Sequence, residues 1–472
     1  MRQSDFRASN IPEIAVGGES TEYNKTGSWR NIRPIFEEGT GPCRSACPLK
    51  NNIPATMDLV RQGKFEEAGL LWQETNPFPA ITGRVCPHPC EVGCNRKRLD
   101  EPIAIREVER FLGDYLQTLP VRPPENSLNS RVIVVGSGPA GMSAAFFLRK
   151  MGYQVWMVEQ HSQPGGVLRY GIPSYRLPHN VLDREFERLK TLGVMMETGR
   201  KVTYADVKGK ADAVFFATGA HKEVFLNIPG EEHLISGIEF LRNAKMGIFP
   251  KEWRKVGVIC GGKVAIDVAR TLTRLGAEPV VLYRRTEKEM PALKEEIEKL
   301  HEDGIPIEFL VAPVGATRIL NQVVLRLIRM RLGEKDASGR PRPIPIEGSE
   351  FDISLDAVIR AAGERADTGI FPAEVLDKNG WLAVDEKTAA TSIPGLFAGG
   401  DVVTGPSTVV DAFAWGRKAA FNIHRYLQGL PLQPEPPIPK TVPYTRIRMD
   451  YFLKSPRVEA PSLPPSERIH AW

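Results

Sequence analysis

Three cysteines, each four residues after the last, sit in the stretch GRVCPHPCEVGCN at residues 83–95: Cys86, Cys90 and Cys94. Cys43 and Cys47 precede them, so five of the chain's six cysteines fall in its first hundred residues. Thiols gathered in this way can form a disulfide framework, ligate zinc, hold an iron–sulfur cluster, or share a segment by coincidence. The N-terminus, MRQSDFRASN, is polar and shows no apolar signal core, and no run of about 18 apolar residues occurs. The expectation is a cytoplasmic protein without a membrane span, in a reducing compartment where clustered cysteines bind metal or do redox chemistry. The sixth cysteine, Cys260, stands alone after an apolar run and reads as packing rather than as a nucleophile.

A second kind of chemistry lies in the glycine-rich turns. Gly136-Ser-Gly138-Pro139-Ala140-Gly141 follows the apolar run RVIVV, opens a helix, and is answered by Glu159 at the end of the next strand. In such a unit the first glycine permits the turn and the second lets the backbone approach a pyrophosphate. The third lets helix pack on strand, and the acid accepts hydrogen bonds from a ribose. The distant segment from Pro394 through Gly400 and Asp401 to Thr408 and Val409 looks like the C-terminal flavin motif of two-dinucleotide flavoproteins. There the Asp binds the ribityl chain or phosphate and a helix N-terminus faces the flavin. With Ala217, Thr218 and Gly219, these residues make FAD the expected occupant.

The unit repeats near residue 255, with Cys260-Gly-Gly262-Lys263-Val264-Ala265 as its turn. Ala in third place is ordinary, whereas Cys in first place adds a Cβ to a crowded turn. Arg284 and Arg285 stand where an acid would read a ribose diol. Guanidinium groups there suit a 2′-phosphate, so NADP is favoured over NAD. Lys263 is poorly placed for the helix dipole but well placed for a pyrophosphate.

The elements that must position these groups follow from the patterning. Between Ala55 and Glu74 apolar residues recur at helical spacing with Gly63 as a break, and a further helix is expected over about Ile105–Leu116. Residues 1–40 are expected to form an extended or poorly ordered lead-in, and the Pro-rich tail an extended wrap. The strand 212–219 is echoed by 356–363, each ending in a small-residue turn at Gly219 and Gly363. The fold class is therefore α/β: two Rossmann-like dinucleotide-binding domains, the NAD(P) domain inserted in the FAD domain, preceded by a small α-helical domain carrying five cysteines, of iron–sulfur type as a family resemblance implies. Boundaries are set at 1–125 for the helical domain, 126–235 with 365–430 for FAD, 236–364 for NAD(P), and 431–472 for the tail. A chain of 472 residues with 42% apolar and 25% charged composition has room for these cores. A formal charge of +5 without a basic stripe argues against nucleic acid.

Several longer segments carry a resemblance: ACPLKNNIPATMDLVRQGKFEEA, NPFPAITGRVCPHPCEVGC, PGGVLRYGIPSYRLP, GAEPVVLYRRTEKEMPA and the GGD segment. Over roughly residues 40–430 the chain resembles the small (beta) subunit of bacterial glutamate synthase and its relatives. These include the N-terminal half of dihydropyrimidine dehydrogenase, the large subunit of ferredoxin:NADP oxidoreductase, and flavin subunits of aldehyde or 2-oxoacid oxidoreductases. The resemblance implies hydride exchange between NAD(P)H and FAD, with single electrons passing through [4Fe–4S] clusters to a partner. It places Gly166, Arg169, Gly171 and Ile172 beside the flavin. It also implies two clusters, but the upstream Cys-x-x-Cys pair of the first is missing here, leaving Cys43 and Cys94 as half a site. The second maps onto Cys47, Cys86 and Cys90, with its Gln or Glu position at Glu109. One [4Fe–4S] cluster with a carboxylate ligand is the expectation. A structural zinc is disfavoured because no Cys-x-x-Cys pair or helical His pair accompanies the set. His88, between two prolines, reads as a loop residue rather than a ligand.

The functional expectation is an FAD-dependent NAD(P)H oxidoreductase subunit serving an iron–sulfur electron-transfer or catalytic subunit of a larger redox complex. Hydride transfer needs the nicotinamide carbon about 3–3.5 Å from the flavin nitrogen and little acid–base help, so no catalytic side chain is assigned. Two rivals are weighed. A flavin-bearing scaffold with a degenerate nucleotide site draws on Cys260. A thioredoxin-reductase-like disulfide reductase would need a redox Cys pair beside the flavin, and the sequence has none.

Overall fold

The computed structural model describes residues 39–336, 339–447 and 452–471. The expected lead-in at 1–40 therefore lies, except for its last two residues, outside the described residues. Helices α1 (Pro42–Ala46), α2 (Ile53–Arg61), α3 (Phe65–Gln73), α4 (Pro79–Val85), α5 (Pro89–Val92) and α6 (Ile105–Leu116) build the first layer. Gly63 breaks α2 from α3 with φ 75°, a value open to glycine at no steric cost. Helices α4 and α6 cross backbone to backbone. A Cβ on Gly113 would lie 2.1 Å from the Ala80 nitrogen, and one on Gly83 would lie 2.4 Å from the Arg110 nitrogen. That approach brings Glu109, on α6, over the α4 residue Thr82.

The apolar, β-branched runs become the buried parallel strands their texture implies. Strands β1 (Arg131–Val135), β2 (Gln154–Val158), β3 (Met195–Glu197), β4 (Ala213–Phe216) and a late return strand, Leu396–Ala398, form one sheet. Its order is return strand, β4, β1, β2, β3, all parallel. Between β4 and the return strand the chain builds a second parallel sheet from β5 (Ile235–Ser236), β6 (Lys255–Ile259), β7 (Glu278–Tyr283), β8 (Ile307–Phe309) and the strand Ala357–Arg360. The two echoed segments occupy equivalent places, each beside the first strand of its own sheet.

One element was not legible in the periodicity. Residues 311–355 form an antiparallel sheet from β9 (Val311–Ile319), β10 (Gln322–Lys335), β11 (Pro341–Pro345) and β12 (Phe351–Leu355). Along β10, Val323, Leu325 and Leu327 turn inward while Arg326 is exposed, the alternation of a half-buried strand. The strands Ala357–Arg360 and Leu396–Ala398 follow as β13 and β14.

The helical layer shares a continuous apolar core with the first sheet and its helices α7 (Pro139–Lys150), α8 (His179–Leu192) and the late helix Val409–Leu427. Phe78 meets Phe413 with ring centroids 5.5 Å apart and Phe146 at 5.8 Å. At the same boundary Gln117 Nε2 donates to Glu185 Oε1 at 2.7 Å, and Arg188 Nη1 donates to the Leu116 carbonyl at 2.7 Å. Burial raises the Glu185 carboxyl to about 7, opposed by the Gln117 hydrogen bond. A carboxyl raised in the folded state stabilises the fold fully below its unfolded value and loses that contribution as pH climbs through 7. Glu185→Gln is therefore expected to match the wild type near pH 4.5 and to exceed it at pH 8, by on the order of 3 kcal/mol. Denaturant unfolding at the two pH values checks this.

The described part of the tail after Gln428, residues 429–447 and 452–471, is mostly without helix or sheet and returns over both halves. Arg457 Nη1 donates to Glu91 Oε2 at 2.6 Å in the helical layer, and Arg468 Nη2 donates to Asp303 Oδ1 at 2.7 Å at the end of helix α11 (Lys294–Glu302), beside the second sheet. No helix among the described residues is long and apolar enough to cross a membrane.

Candidate functional site

The turn after β1 is shaped by contacts that exclude side chains. Gly136 has φ 100°, and a Cβ there would lie 2.4 Å from the Ala217 carbonyl oxygen. A Cβ on Gly141 would lie 1.9 Å from the Gly136 oxygen, which fixes α7 against the strand. Gly138 differs: nothing lies within 4 Å of where its Cβ would be, and its φ of −67° suits any residue. Its emptiness is on the side open to a ligand, and Pro139 and Ala140 begin α7 there, so the helix N-terminus faces the same space. Gly166 closes over the turn, with its would-be Cβ 2.9 Å from Gly138 Cα.

Glu159 is buried at the end of β2 and is already engaged. Its Oε2 accepts from Ser137 N at 3.0 Å and Ser137 Oγ at 2.5 Å, and its Oε1 accepts from His161 N at 2.9 Å. It braces the glycine turn while still lining a cavity of about 240 Å³ with Gly136, Thr218, Gly219, Arg200 and His221. Asp401 follows Gly400 (φ 77°) and accepts from Ser407 Oγ at 2.8 Å. Burial, then Asp411, raises its carboxyl. Thr408 caps the helix α12 (Val409–Leu427) by accepting from Asp411 N at 3.2 Å, so Val409 starts a 19-residue helix aimed at the turn region. Gly416 makes this possible: its Cβ would lie 2.1 Å from the Ala140 oxygen, where α12 crosses α7.

Arg169, before Gly171 and Ile172, is buried and spends its guanidinium on Pro164 O and Asp183 Oδ1, each at 2.5 Å. Lys245, near the end of the helix α9 (Gly237–Lys245), donates to the Arg169 carbonyl at 2.7 Å. Burial, then the Arg169 charge, lowers that ammonium to about 8. Next to Gly363, Glu364 is raised to about 7 by burial, then by Asp401 and Glu223. Neither Lys245 nor Glu364 carries a sequence signal, because both depend on which elements meet.

The second turn keeps the same form with a strained entry. Cys260 takes φ 112°, close to the 100° of Gly136, a region that L side chains rarely occupy. Gly262 caps the helix α10 (Lys263–Arg274), and Lys263, Val264 and Ala265 form its first turn. Gly363 has φ 107° with open space around it. The two arginines expected to act together do not. Arg285 is buried, with Nη2 on Asp336 Oδ2 and Nε on the Pro341 carbonyl, both at 2.8 Å, so it ties β7 to the antiparallel sheet. Arg284 is exposed and shares an open cavity of about 780 Å³ with Lys335 and Arg342. Those two cations come from a sheet the periodicity did not reveal.

Cys47, Cys86, Cys90 and Cys94 are all buried; burial raises the thiols of Cys47, Cys86 and Cys90, with the Glu109 charge adding to each. Cys47 and Cys90 each raise Cys86. Backbone amides of Asn51, Leu49 and Lys50 point at the Cys47 sulfur and favour its thiolate. Cys43 is pushed up to about 11, mainly by burial and then by Cys94, with Cys47 adding less. Glu109 is buried too, and its Oε1 accepts from Trp72 Nε1 (3.2 Å), Asn76 Nδ2 (2.8 Å) and Thr82 Oγ1 (2.5 Å). The other oxygen, Oε2, takes none of these donors. Buried thiols, sulfur-directed amides and a carboxylate with one oxygen left over suit a cluster's ligand set. Among the described residues no three His, Cys, Asp or Glu side chains could hold a single metal ion. A lone ion needs its ligands in mutual contact, whereas an iron–sulfur cube spreads them around its body.

His88 lies in the loop before α5, as expected, but it is a buried loop residue, with its Nε2 3.8 Å from Glu109 Oε2. Trp72 reads from sequence as one more apolar residue of α3, and only the fold shows its indole N–H reaching Glu109.

Residues 130–416 match the family described as pyridine nucleotide-disulphide oxidoreductase, and residues 37–120 match dihydropyrimidine dehydrogenase domain II, 4Fe–4S cluster. The chain is 39% identical over 425 residues to the NADP(+)-dependent formate dehydrogenase subunit beta of Moorella thermoacetica, covering 82% of this chain but 60% of that protein. It is 35% identical to the small chain of glutamate synthase [NADPH] of Azospirillum brasilense, covering 81% of this chain and 86% of that one. Its fold superposes on FprA of Mycobacterium tuberculosis, solved in complex with NADPH, with a TM-score of 0.55 and 20% identity over 65% of this chain and 85% of FprA.

Proposed function

The chain belongs to the pyridine nucleotide-disulphide oxidoreductase family and carries a 4Fe–4S-type domain before it, and we propose that it exchanges a hydride between NADP(H) and FAD and relays electrons singly to or from a partner subunit. The observation that carries this reading is the shared core. Leu49, two residues after Cys47, offers its carbonyl to Arg417 Nη1 at 2.7 Å, and Arg417 lies on α12, the helix whose start faces the FAD turn. The thiols and the dinucleotide turn are thus parts of one packed body.

Bound FAD would supply the exchange between a two-electron hydride and single electrons, and a bound cluster would accept those singly. The chain's own work is binding and placement. Gly136, Gly138 and Gly141 with the start of α7 hold the pyrophosphate, Glu159 braces the turn at the ribose end, and Asp401 with the start of α12 holds the flavin end. Gly262, Lys263, Val264 and Ala265 hold the second pyrophosphate. Cys47, Cys86, Cys90 and Glu109 hold the cluster. Cys260 is the one cysteine outside residues 43–94, so no thiol pair stands beside the flavin for disulfide reduction. The partner is a subunit that carries the substrate chemistry or a further iron–sulfur chain.

For the nucleotide, Arg284, Lys335 and Arg342 read the 2′-phosphate, and Arg285 holds the sheet that carries two of them. NADPH is expected to bleach the flavin of the anaerobic protein faster than NADH at equal concentration. Arg284→Ala with Arg342→Ala should weaken NADPH about tenfold or more while leaving NADH unchanged, since two charge-assisted contacts are lost only with the phosphate. Stopped-flow absorbance measures both. Failure of both nucleotides to bleach the flavin would overturn the hydride reading.

A further inference from the structure

His88 is held in an uncommon state. It sits between Pro87 and Pro89 with φ 51°, a left-handed value that costs a side chain larger than glycine. The residue is 5% exposed, and Nε2 has no hydrogen-bond partner. A buried donor left so costs about 1–3 kcal/mol. Its backbone N–H donates to Cys86 Sγ at 3.4 Å, which ties the residue to a thiol of the proposed cluster. Opposite Nε2, at 3.8 Å, is Glu109 Oε2, beyond hydrogen-bond reach. Glu109 cannot swing across without releasing the Trp72, Asn76 and Thr82 donors that hold Oε1. Two buried polar atoms thus face each other, unjoined, beside thiols that feel the Glu109 charge.

Resting on the cluster reading above, we propose that His88 is the positioning residue of the cluster's carboxylate corner. With its proton on Nε2, it donates to Glu109 Oε2 when that oxygen ligates iron. Carboxylate ligands are ordinarily held by such outer donors, and their loss typically weakens metal binding ten- to a hundredfold. Each iron of a cube takes one terminal ligand, and the anionic oxygen, already fixed through its partner atom, fills that place. The donor withdraws charge from the ligand and so raises the cluster's reduction potential.

The test compares the full chain, reconstituted anaerobically with iron and sulfide, with His88→Leu and His88→Gln by EPR-monitored redox titration. In His88→Leu the oxidised-to-reduced ratio at fixed potential should rise about tenfold, a fall of about 59 mV for one electron. His88→Gln, which keeps an N–H donor, should recover most of this. Wild-type FAD content in both variants shows the fold intact. A cluster in His88→Leu with the wild-type potential overturns the inference and leaves the cluster reading standing. A strongly coupled nitrogen in the wild-type ENDOR spectrum, lost in His88→Leu, overturns it by making the imidazole itself the ligand. Absence of iron and sulfide from the wild type overturns the cluster reading and this inference together.

Discussion

Glu109→Ala is expected to destabilise the helical domain by about 3 kcal/mol and to leave the chain with far less than one cluster's iron. Three buried donors end on Oε1, and they would not suffer equally. Asn76 Nδ2 also reaches Thr82 Oγ1 at 2.7 Å, and Thr82 Oγ1 also reaches the Phe78 carbonyl at 3.3 Å. Trp72 Nε1 has only Glu109 among its hydrogen bonds, and its ring is 1% exposed, so the indole would be stranded. Structure and ligation are separable with Glu109→Gln. Its amide oxygen can keep the three donors, holding stability within about 1 kcal/mol of wild type, while the anionic Oε2 is lost. Thermal unfolding should therefore rank wild type and Glu109→Gln together, with Glu109→Ala below. Iron and sulfide analysis should place Glu109→Ala lowest, with Glu109→Gln between it and the wild type, because a Gln amide oxygen is a weaker ligand than a carboxylate but still a ligand. Full iron in Glu109→Ala would remove the carboxylate from the ligand set.

The same residue marks the limit of what the sequence discloses. Helix α6 could be read to its ends because Ile105, Leu112 and Leu116 recur on one face, and that pattern is local. Strands β1 and β6 and their turns were legible for the same reason: a β-branched run, a glycine turn and a helix follow in one short segment. The division of the cysteines came from resemblance, since even spacing along the chain says nothing of which thiols meet. What stayed hidden depends on elements distant in sequence. Arg285 looks free until β10 and β11 arrive to claim it, and Arg342 looks unrelated to the nucleotide until the same sheet carries it to Arg284. Residues 311–355 gave little warning because β10 alternates over only part of its length and is flanked by charged residues. The environment of Glu109 joins three helices and a turn, and each donor to it has a plausible duty within its own segment: Trp72 as core, Asn76 as turn, Thr82 as a helical residue.

The second and third glycines of the first turn should fail in different ways, and the difference tests whether a dinucleotide sits where the turn is open. Gly141→Ala puts a Cβ 1.9 Å from the Gly136 oxygen, an overlap that no rotamer relieves because both atoms are backbone-bound. Helix α7 would have to withdraw from β1, yet it is pinned on its far side by α12, packed so closely that a Cβ on Gly416 would lie 2.1 Å from the Ala140 oxygen. The expected result is loss of soluble folded protein, or a thermal midpoint many degrees lower, with flavin lost as a consequence. Gly138→Ala meets no protein atom within 4 Å and has a φ of −67° that alanine accepts. Removing glycine from the unfolded chain's freedom should even stabilise the apoprotein by a few tenths of a kcal/mol, up to about 1. Its methyl group points into the space the pyrophosphate must enter, and crowding of that kind costs about 1–3 kcal/mol, or about ten- to a hundredfold in FAD affinity. The flavin-to-protein absorbance ratio of the purified variants and the melting of their apoproteins separate the two effects. If Gly138→Ala keeps full flavin with an unchanged dissociation constant, the pyrophosphate does not lie against this turn, and the opening that only Gly138 leaves there serves something else.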